Sequence, residues 1–579
     1  MHFKDVALSF ENIERESSRI EITKLFSQLI NQSTAHEAQM ITYLSLGLLR
    51  APYEGSLFNF AEKNAVKTIA DVLGMTERTA KEHAKKVGDL GSLLLEGSWQ
   101  HEKDLTLTQV YHHLCHFSAI SGEGSQEEKS AYLQSLLKQV DPLSACYIVR
   151  IIIGKLRLGF SDMTVIDALS WSVTGDKSLR DVLEHAYNIS ADIGLIALRL
   201  KEGGVEAIEK MKITVGIPIR PAAAERLPTA ADIIKKLGPC VAQPKLDGFR
   251  LQVHLDKHTS HAKLWFFSRN LLDMSAMFPD LAADIKQLDV TSVIFEGEAL
   301  AYDEQTDSYL PFQETVKRRR KHGIEEMAVE MPLKLILFDI LYLDGVSLLD
   351  EPHYKREKIL SKLIKSHNLK SVTMIGERHM ETAHELNDYF LENITAGLEG
   401  LVVKRPDAIY QPGKRNFNWI KLKRHEEEGQ LDDTLDCVIL GYYAGKGKRA
   451  AFGIGAFLVG VYNPAEDCFQ TVAKIGTGLR DDEWRALKKQ CDAEKVSHKL
   501  ANVVVSKSLE PDVWVAPKIV VMIRADEITR SPVHSAGRDN EGVGYALRFP
   551  RIMGPRPDKS ATEATTVDEV KSLFKIQKK

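Results

Sequence analysis

The chain has 579 residues, 76 of them Lys or Arg against 80 Asp or Glu, a formal charge of −4, with 44% apolar and 27% charged residues. It is too long for a single hydrophobic core, so roughly two to four domains are expected in an ordinary soluble globular protein. The charge balance excludes global basicity, so a polyanionic partner has to be held by local patches. The six cysteines are scattered and form no Cys-x-x-Cys pair, which argues against a zinc finger and against a disulfide framework. The N-terminus has no apolar signal-peptide core, and no apolar run is long enough to cross a bilayer. A reduced, cytoplasmic protein with no membrane partner is expected.

Roughly the first 210 residues read as helical. Ile22, Leu25, Phe26, Leu29 and Ile30 follow one helical stripe. Tyr132, Leu133, Leu136, Leu137 and Val140 follow another, behind an expected capping box at Ser125 and Glu128. Two prolines at Pro218 and Pro221 punctuate the chain and mark a boundary. Short alternating strands follow, at 251–255, 263–267, 293–301, 334–338 and 400–404. The charged stretch 425–430 marks a second boundary. From 431 to 549 the chain again reads as short strands with glycine turns, a small β-barrel, followed by a basic tail. The expected divisions are 1–212, 213–428 and 429–579.

Chemistry concentrates in the middle of the chain. Lys245 opens the string Lys245-Leu246-Asp247-Gly248-Phe249-Arg250. An amine must be neutral to attack phosphorus, and free lysine has a pKa of about 10.4, so neighbouring cations such as Arg250, Lys421 and Lys423 matter twice: they depress that value and bind phosphate. Glu296 and Glu298 lie two apart on a predicted strand and face the same way. Glu399 opens another strand. Carboxylates from separate strands converging near phosphates are the hard oxygen ligands that magnesium prefers. Lys421 and Lys423 alternate with Ile420 and Leu422, so the apolar pair packs inward and both ammonium groups share the other face. Phe338 ends a core-like run, where packing and base stacking are both open readings. The run of five cations at 317–321 is best explained by an anionic partner such as a phosphate backbone.

The ordered set KLDGFR, FSRN, FEGE, LFDILY, EGLVVK, WIKLK and RFPR…RPDK resembles the motif series of ATP-dependent DNA ligases, within the covalent nucleotidyltransferases. GKLRLGF at 154–160 is similar to the end of that family's helical DNA-binding domain. The segments 474–483 and 511–534 are similar to its C-terminal OB-fold domain, so the whole chain is covered, at the minimal length of the archaeal and eukaryotic replicative type. The resemblance implies a multidomain α+β protein: an all-helical DNA-binding domain, an α/β adenylation domain and an OB-fold barrel. It implies that Lys245 takes AMP from ATP, and that Arg250, Arg269 and Arg415 contact ribose and phosphates. Glu298 and Glu399 would serve Mg2+ (Mn2+ able to substitute), Phe338 would stack on adenine, and Lys421 and Lys423 would bind the α-phosphate region. Arg548 and Arg551 would orient the leaving pyrophosphate. Two positions depart from the family's usual pattern: Gln243, at the position that would read the base, stands where glutamate is most common, and Glu296 where aspartate is.

The implied reaction seals 3′-OH/5′-phosphate nicks in duplex DNA, in replication, repair or recombination. The implied partners are nicked DNA and, as an open question, a sliding clamp, with the protein a monomer at the nucleoid. An RNA ligase or an mRNA-capping enzyme shares the lysine motif, but neither needs a long helical domain to encircle a duplex. A catalytically dead DNA clamp would not need the reactive residues, all of which are present. Labelling with ATP separates these readings.

Overall fold

The computed structural model describes residues 1–577 apart from 17, 56–57, 88, 100–103, 157, 159–160, 259–260, 304–307, 311–314, 316–317, 319–322, 368, 397, 424–433 and 446–452, and apart from the side chains of 85–87, 308, 415 and 576. It divides into two compact units, 1–423 and 424–579. The expected boundary stretch 425–430 and part of the 154–160 segment lie outside the described residues.

The first part of unit one is helical, as its periodicity predicts. The helix Arg19–Gln32 buries Ile22, Phe26, Leu29 and Ile30, with Leu25 packed partly against the same core, and the Ser18 hydroxyl accepts from the Glu21 amide at its start. The helix Ser125–Lys138 buries Leu133, Leu136 and Leu137. Its predicted capping box does not form. Gly124, at φ 76°, makes the entry turn with no side-chain cap, so Ser125 is already inside the helix. The helical part also holds an ion cluster around the buried Arg150. Arg150 Nε donates to Asp89 Oδ2 at 3.0 Å, its guanidinium also pairs with Glu14, and the Tyr147 hydroxyl donates to Glu14 at 2.8 Å.

The proline-marked segment does not hang free. Gln252 clasps Ile219 from both sides, accepting its N–H at 2.7 Å and donating to its carbonyl at 3.0 Å. His254 Nδ1 accepts the Gly216 N–H at 3.1 Å, while burial pushes this imidazole down to about 3 and keeps it neutral. On the helical side, the Arg220 guanidinium lies 4.6 Å from the Tyr187 ring centroid and donates to Asn188 at 2.9 Å. The segment at the expected 212/213 division is therefore bonded on both sides, within a single compact unit.

Two sheets follow. The strands are β1 (Ala223–Arg226), β2 (Cys240–Pro244), β3 (Phe249–Asp256), β4 (Lys263–Ser268), β5 (Ser292–Asp303), β6 (Ser308–Tyr309), β7 (Leu333–Leu343), β8 (Val346–Ser347), β9 (Val372–Met374), β10 (Arg378–Met380), β11 (Gly400–Lys404) and β12 (Arg415–Lys423). One sheet has the order β1-β12-β11-β2-β10; the other runs β4-β3-β5-β7-β8, with β6 on β5 and β9 on β7. Alternation decides their faces. Leu251, Val253 and Leu255 enter the core of the second sheet, packed with the helices Pro279–Ile285 and His353–Lys365. Ala242, Leu401, Val403, Ile420 and Leu422 enter the core of the first, under the helices Ala230–Leu237 and Ala383–Thr395. A third cluster, including Ile294, Leu341, Tyr410 and Trp419, joins the two sheets.

Unit two is rich in strands, as expected for the C-terminal region. Its main sheet packs Leu435, Phe457, Val459, Val472, Val521 and Ile552 into one core. Two helices absent from the sequence reading complete it. Asp481–Ala493 buries Trp484, Leu487 and Cys491, and Val567–Ile576 forms where only a basic tail was expected. Thr566 caps this last helix, and Val567 and Val570 anchor it to the core.

Removing one partner of a buried ion pair leaves the others uncompensated. Arg150→Ala strands Asp89 and Glu14, so it should destabilise the helical region by about 3–5 kcal/mol. Urea unfolding followed by circular dichroism at 222 nm should show an early helical transition; an unchanged profile would contradict the structural role of this cluster.

Candidate active site

Lys245 sits at the end of β2, between β10 and β11. Its backbone N–H donates to the Gly400 carbonyl at 2.8 Å. The register Leu401↔Pro244 and Gly400↔Lys423 brings Lys245, Glu399 and Lys423 together at one end of three neighbouring strands. Lys245 Nζ forms an ion pair with Glu399 Oε2, and Lys423 Nζ approaches the same oxygen at 2.9 Å. Burial pushes the Glu399 carboxyl up, but the two ammonium groups outweigh it and hold the carboxyl below its usual range. Ile420 and Leu422 are buried while Lys421 and Lys423 are half-buried, as the alternation predicts.

Opposite this cluster, β3 and β5 carry Arg250, Glu296 and Glu298. The first two form a rigid bed: Arg250 donates to Glu296 at 2.9 and 3.1 Å and to the Ala222 carbonyl at 2.9 Å, and the buried Tyr410 hydroxyl donates to Glu296 at 2.8 Å. Glu298 is different. One oxygen accepts the Gly248 N–H at 3.1 Å, and burial pushes the carboxyl up to about 7 against the pull of Lys245 and Arg250. Gly248 has to be glycine here, because a Cβ would stand 2.4 Å from the Ala299 carbonyl oxygen.

Among the described residues no three His, Cys, Asp or Glu side chains cluster as a closed metal cage. The arrangement fits magnesium all the same. That ion keeps several waters and is bound through one or two carboxylates together with phosphate oxygens. A carboxyl raised by desolvation, as Glu298 is, is a group that a nearby cation would return to its charged form.

Phe338 is placed by a β-bulge. Glu296 pairs with Asp339 and Gly297 with Leu337, so Phe338 is the extra residue of β7. Bulges beside active sites re-aim a side chain. The half-buried ring meets Trp419 edge-on at 6.2 Å, with Arg250 5.4 Å and Lys404 5.3 Å from its centroid. Lys404 Nζ also donates to the Phe338 carbonyl at 2.9 Å. Burial pushes this lysine down to about 8. Gln243, two residues before Lys245 on β2, is buried and donates to Glu377 at 3.0 Å.

Arg269 is exposed just beyond β4 and lines one small cleft with Arg250, Gln252 and Glu296. A wider cavity of about 660 Å3, lined by residues such as His185, Lys212, Tyr342 and Lys414, does not include Lys245. The candidate residues Lys245, Glu399 and Lys423 converge instead at the charged strand ends. The backbone of Arg415 opens β12, but its side chain lies outside the described residues. Arg548 and Arg551 belong to unit two, where they pair with Glu527 at 2.6 Å and Asp526 at 2.7 Å.

The basic run requires a correction. Arg318 is buried, not offered to a partner: it pairs with Asp280 at 2.7 Å and donates to the Met277 and Met331 carbonyls. The other four cations of that run lie outside the described residues. Tyr410, His353 and Glu377 were missed from the sequence, because each is brought to the site by tertiary packing from a segment without a local signal. Lys404 and Asp339 lay inside the strings already singled out.

Comparison with known proteins gives three family matches that follow one another along the chain: "DNA ligase N terminus" over residues 2–170, "ATP dependent DNA ligase domain" over 221–423, and "ATP dependent DNA ligase C terminal region" over 450–559. A "Probable DNA ligase" of Dictyoglomus turgidum is 46% identical, covering 100% of this chain and 98% of the relative. "DNA ligase 2" of Thermofilum pendens is 38% identical over 98% of this chain and 96% of its own length. The solved structure named "Pmar-Lig_PreS3" shares the fold with a TM-score of 0.57 at 16% identity, covering 95% of this chain and 99% of that one. With full-length relatives at this identity, the chain belongs to the ATP-dependent DNA ligases, enzymes that use ATP to seal nicks between 3′-hydroxyl and 5′-phosphate ends of duplex DNA.

Proposed function

We propose that Lys245 is the nucleophile of this ligase and that the strand ends around it form the adenylation site. The observation that carries the proposal is the convergence of Lys245, Glu399 and Lys423 on one carboxylate oxygen, with Glu298 and Arg250 facing them. In the first step the Lys245 amine gives its lone pair to the α-phosphorus of ATP, loses a proton, and the bond to pyrophosphate breaks. The Glu399 pair has to open first, because an ammonium group has no lone pair to give. In the second step an oxygen of the 5′-phosphate displaces the lysine from AMP. In the third the 3′-hydroxyl attacks that phosphate and AMP leaves.

Arg250 and Arg269 hold ribose and phosphate oxygens, as does Arg415, and Phe338 offers a stacking face to adenine. Lys421 and Lys423 stabilise the α-phosphate charge as it develops. Glu298 and Glu399 would hold Mg2+, which supplies Lewis-acid stabilisation of phosphate charge when bound. Residues 1–212 grip the duplex, 213–428 carry the adenylation site, and 429–579 supply Arg548 and Arg551 for pyrophosphate departure. The same reading takes the protein as a monomer working on DNA in the cytoplasm. Direct binding measurements decide whether a sliding clamp joins it.

Lys245→Ala should abolish the covalent AMP adduct and the sealing of ordinary nicks, yet retain some sealing of a nick already carrying 5′-AMP. Denaturing electrophoresis with labelled ATP reads the first, and adduct at the wild-type level would reject the assignment.

EDTA should abolish adduct formation. Glu298→Ala and Glu399→Ala should each slow it by at least about a hundredfold, the scale of losing one preorganised electrostatic group. Single-turnover rates close to the wild type for either variant would remove that residue from the site.

Alanine at both Arg548 and Arg551 should slow self-adenylation more than the sealing of a pre-adenylated nick. A larger defect in the second reaction would reject their role in pyrophosphate departure.

A further inference from the structure

Glu377 lies one residue before β10, across from Gln243 on β2: the pairing Arg378↔Ala242 puts these two side by side. Its carboxylate is held by two donors on one oxygen. Gln243 Nε2 donates to Oε2 at 3.0 Å and His353 Nε2 approaches the same oxygen at 3.1 Å. Among the described residues no donor takes Oε1. The side chain retains 16% exposure, whereas His353 behind it has 2%.

The charge on this group is well supported. Burial pushes the Glu377 carboxyl up, but the bonds from His353 and Gln243 and the nearby Lys404 outweigh that and hold it below its ordinary value. Lys404 in turn stands 5.3 Å from the Phe338 ring. Glu377 therefore sits beside the strand that bears Lys245, and Lys404 is a neighbour of both its carboxylate and the aromatic face on which the base would stack.

We propose that Glu377, oriented by Gln243 and His353, is the residue that selects the nucleobase, its Oε1 accepting a hydrogen bond from the exocyclic amine of adenine. An ionised carboxylate is an acceptor only. It matches an amine on the six-position of a purine and repels the carbonyl that guanine carries there. Gln243 is then a positioning residue whose amide is spent on Oε2. This inference rests on the reading of Lys245 as the nucleophile.

Glutamate is the more common residue of the family at position 243. A glutamate at that position would bring a second carboxylate against Glu377, about 3.0 Å away, with no donor between them. It should weaken ATP use and not sharpen the selection.

The test measures covalent nucleotide–enzyme formation by the full chain with Mg2+ and ATP, GTP or purine riboside triphosphate, which lacks the amine. The wild type should use ATP at least about tenfold better than either analogue, the range for a hydrogen bond to a charged group. Glu377→Gln keeps an acceptor for Gln243 and His353 but turns an N–H toward the base. It should lower the ATP-to-GTP ratio at least about tenfold and make ATP and the amine-free analogue nearly equivalent. An unchanged ratio in a variant that melts like the wild type would overturn the proposal. If Glu377→Gln does not fold, Gln243→Glu decides. Slower use of ATP without sharper selection supports the proposal, and a higher ATP-to-GTP ratio overturns it. A wild type that forms no adduct with ATP would instead sink the assignment of Lys245.

Discussion

The site depends on one close approach between strands. Gly400 adopts φ 136°, and a Cβ there would lie 2.2 Å from the Leu422 carbonyl oxygen, so only glycine lets β11 and β12 meet at this point. The Gly400 carbonyl accepts the Lys245 amide, and the residue before it, Glu399, is the partner of Lys245 and Lys423. A single backbone geometry thus fixes a candidate nucleophile, its carboxylate partner and the cation Lys423. Any larger residue at 400 would move all three at once.

Around that point the protein compensates buried charge in layers. Glu296 is held by Arg250 and Tyr410 beneath the nucleotide face. Asp339 is held by Arg356 at 2.7 and 3.0 Å. Burial alone would push the Asp339 carboxyl up, but Arg356 and Lys404 hold it at about 2. The Glu296 and Asp339 carboxylates are buried and already partnered, so they do not need to reorganise when phosphate charge develops. Two carboxylates are less committed: Glu298, raised to about 7, and Glu377, with one oxygen unclaimed among the described residues. The fold supplies an electrostatic bed of paired groups and leaves uncommitted capacity at Glu298 and Glu377.

Much of this was legible in the sequence because local periodicity and local chemistry agree. Leu251, Val253 and Leu255 alternate as a strand must, and Lys421 and Lys423 share a face because Ile420 and Leu422 take the other. What was not legible depends on tertiary context. The bulge that aims Phe338 arises from the register of β5 and β7, which no single segment encodes. Ser125 looked like a cap, yet Gly124 took the entry turn because a left-handed backbone favours glycine. Arg318 looked like part of an open cationic run, yet Asp280 and two carbonyls bury it. Glu377 lies in a segment with no motif at all, and only the pairing of β10 with β2 brings it against Gln243.

The most direct test of the account is peptide mass spectrometry of the wild-type protein after incubation with ATP and Mg2+ and removal of pyrophosphate. The account predicts a single AMP-bearing peptide, with the modification on Lys245 and none on Lys421 or Lys423. AMP found on another lysine, or a fully active ligase with Lys245 unmodified, would contradict it.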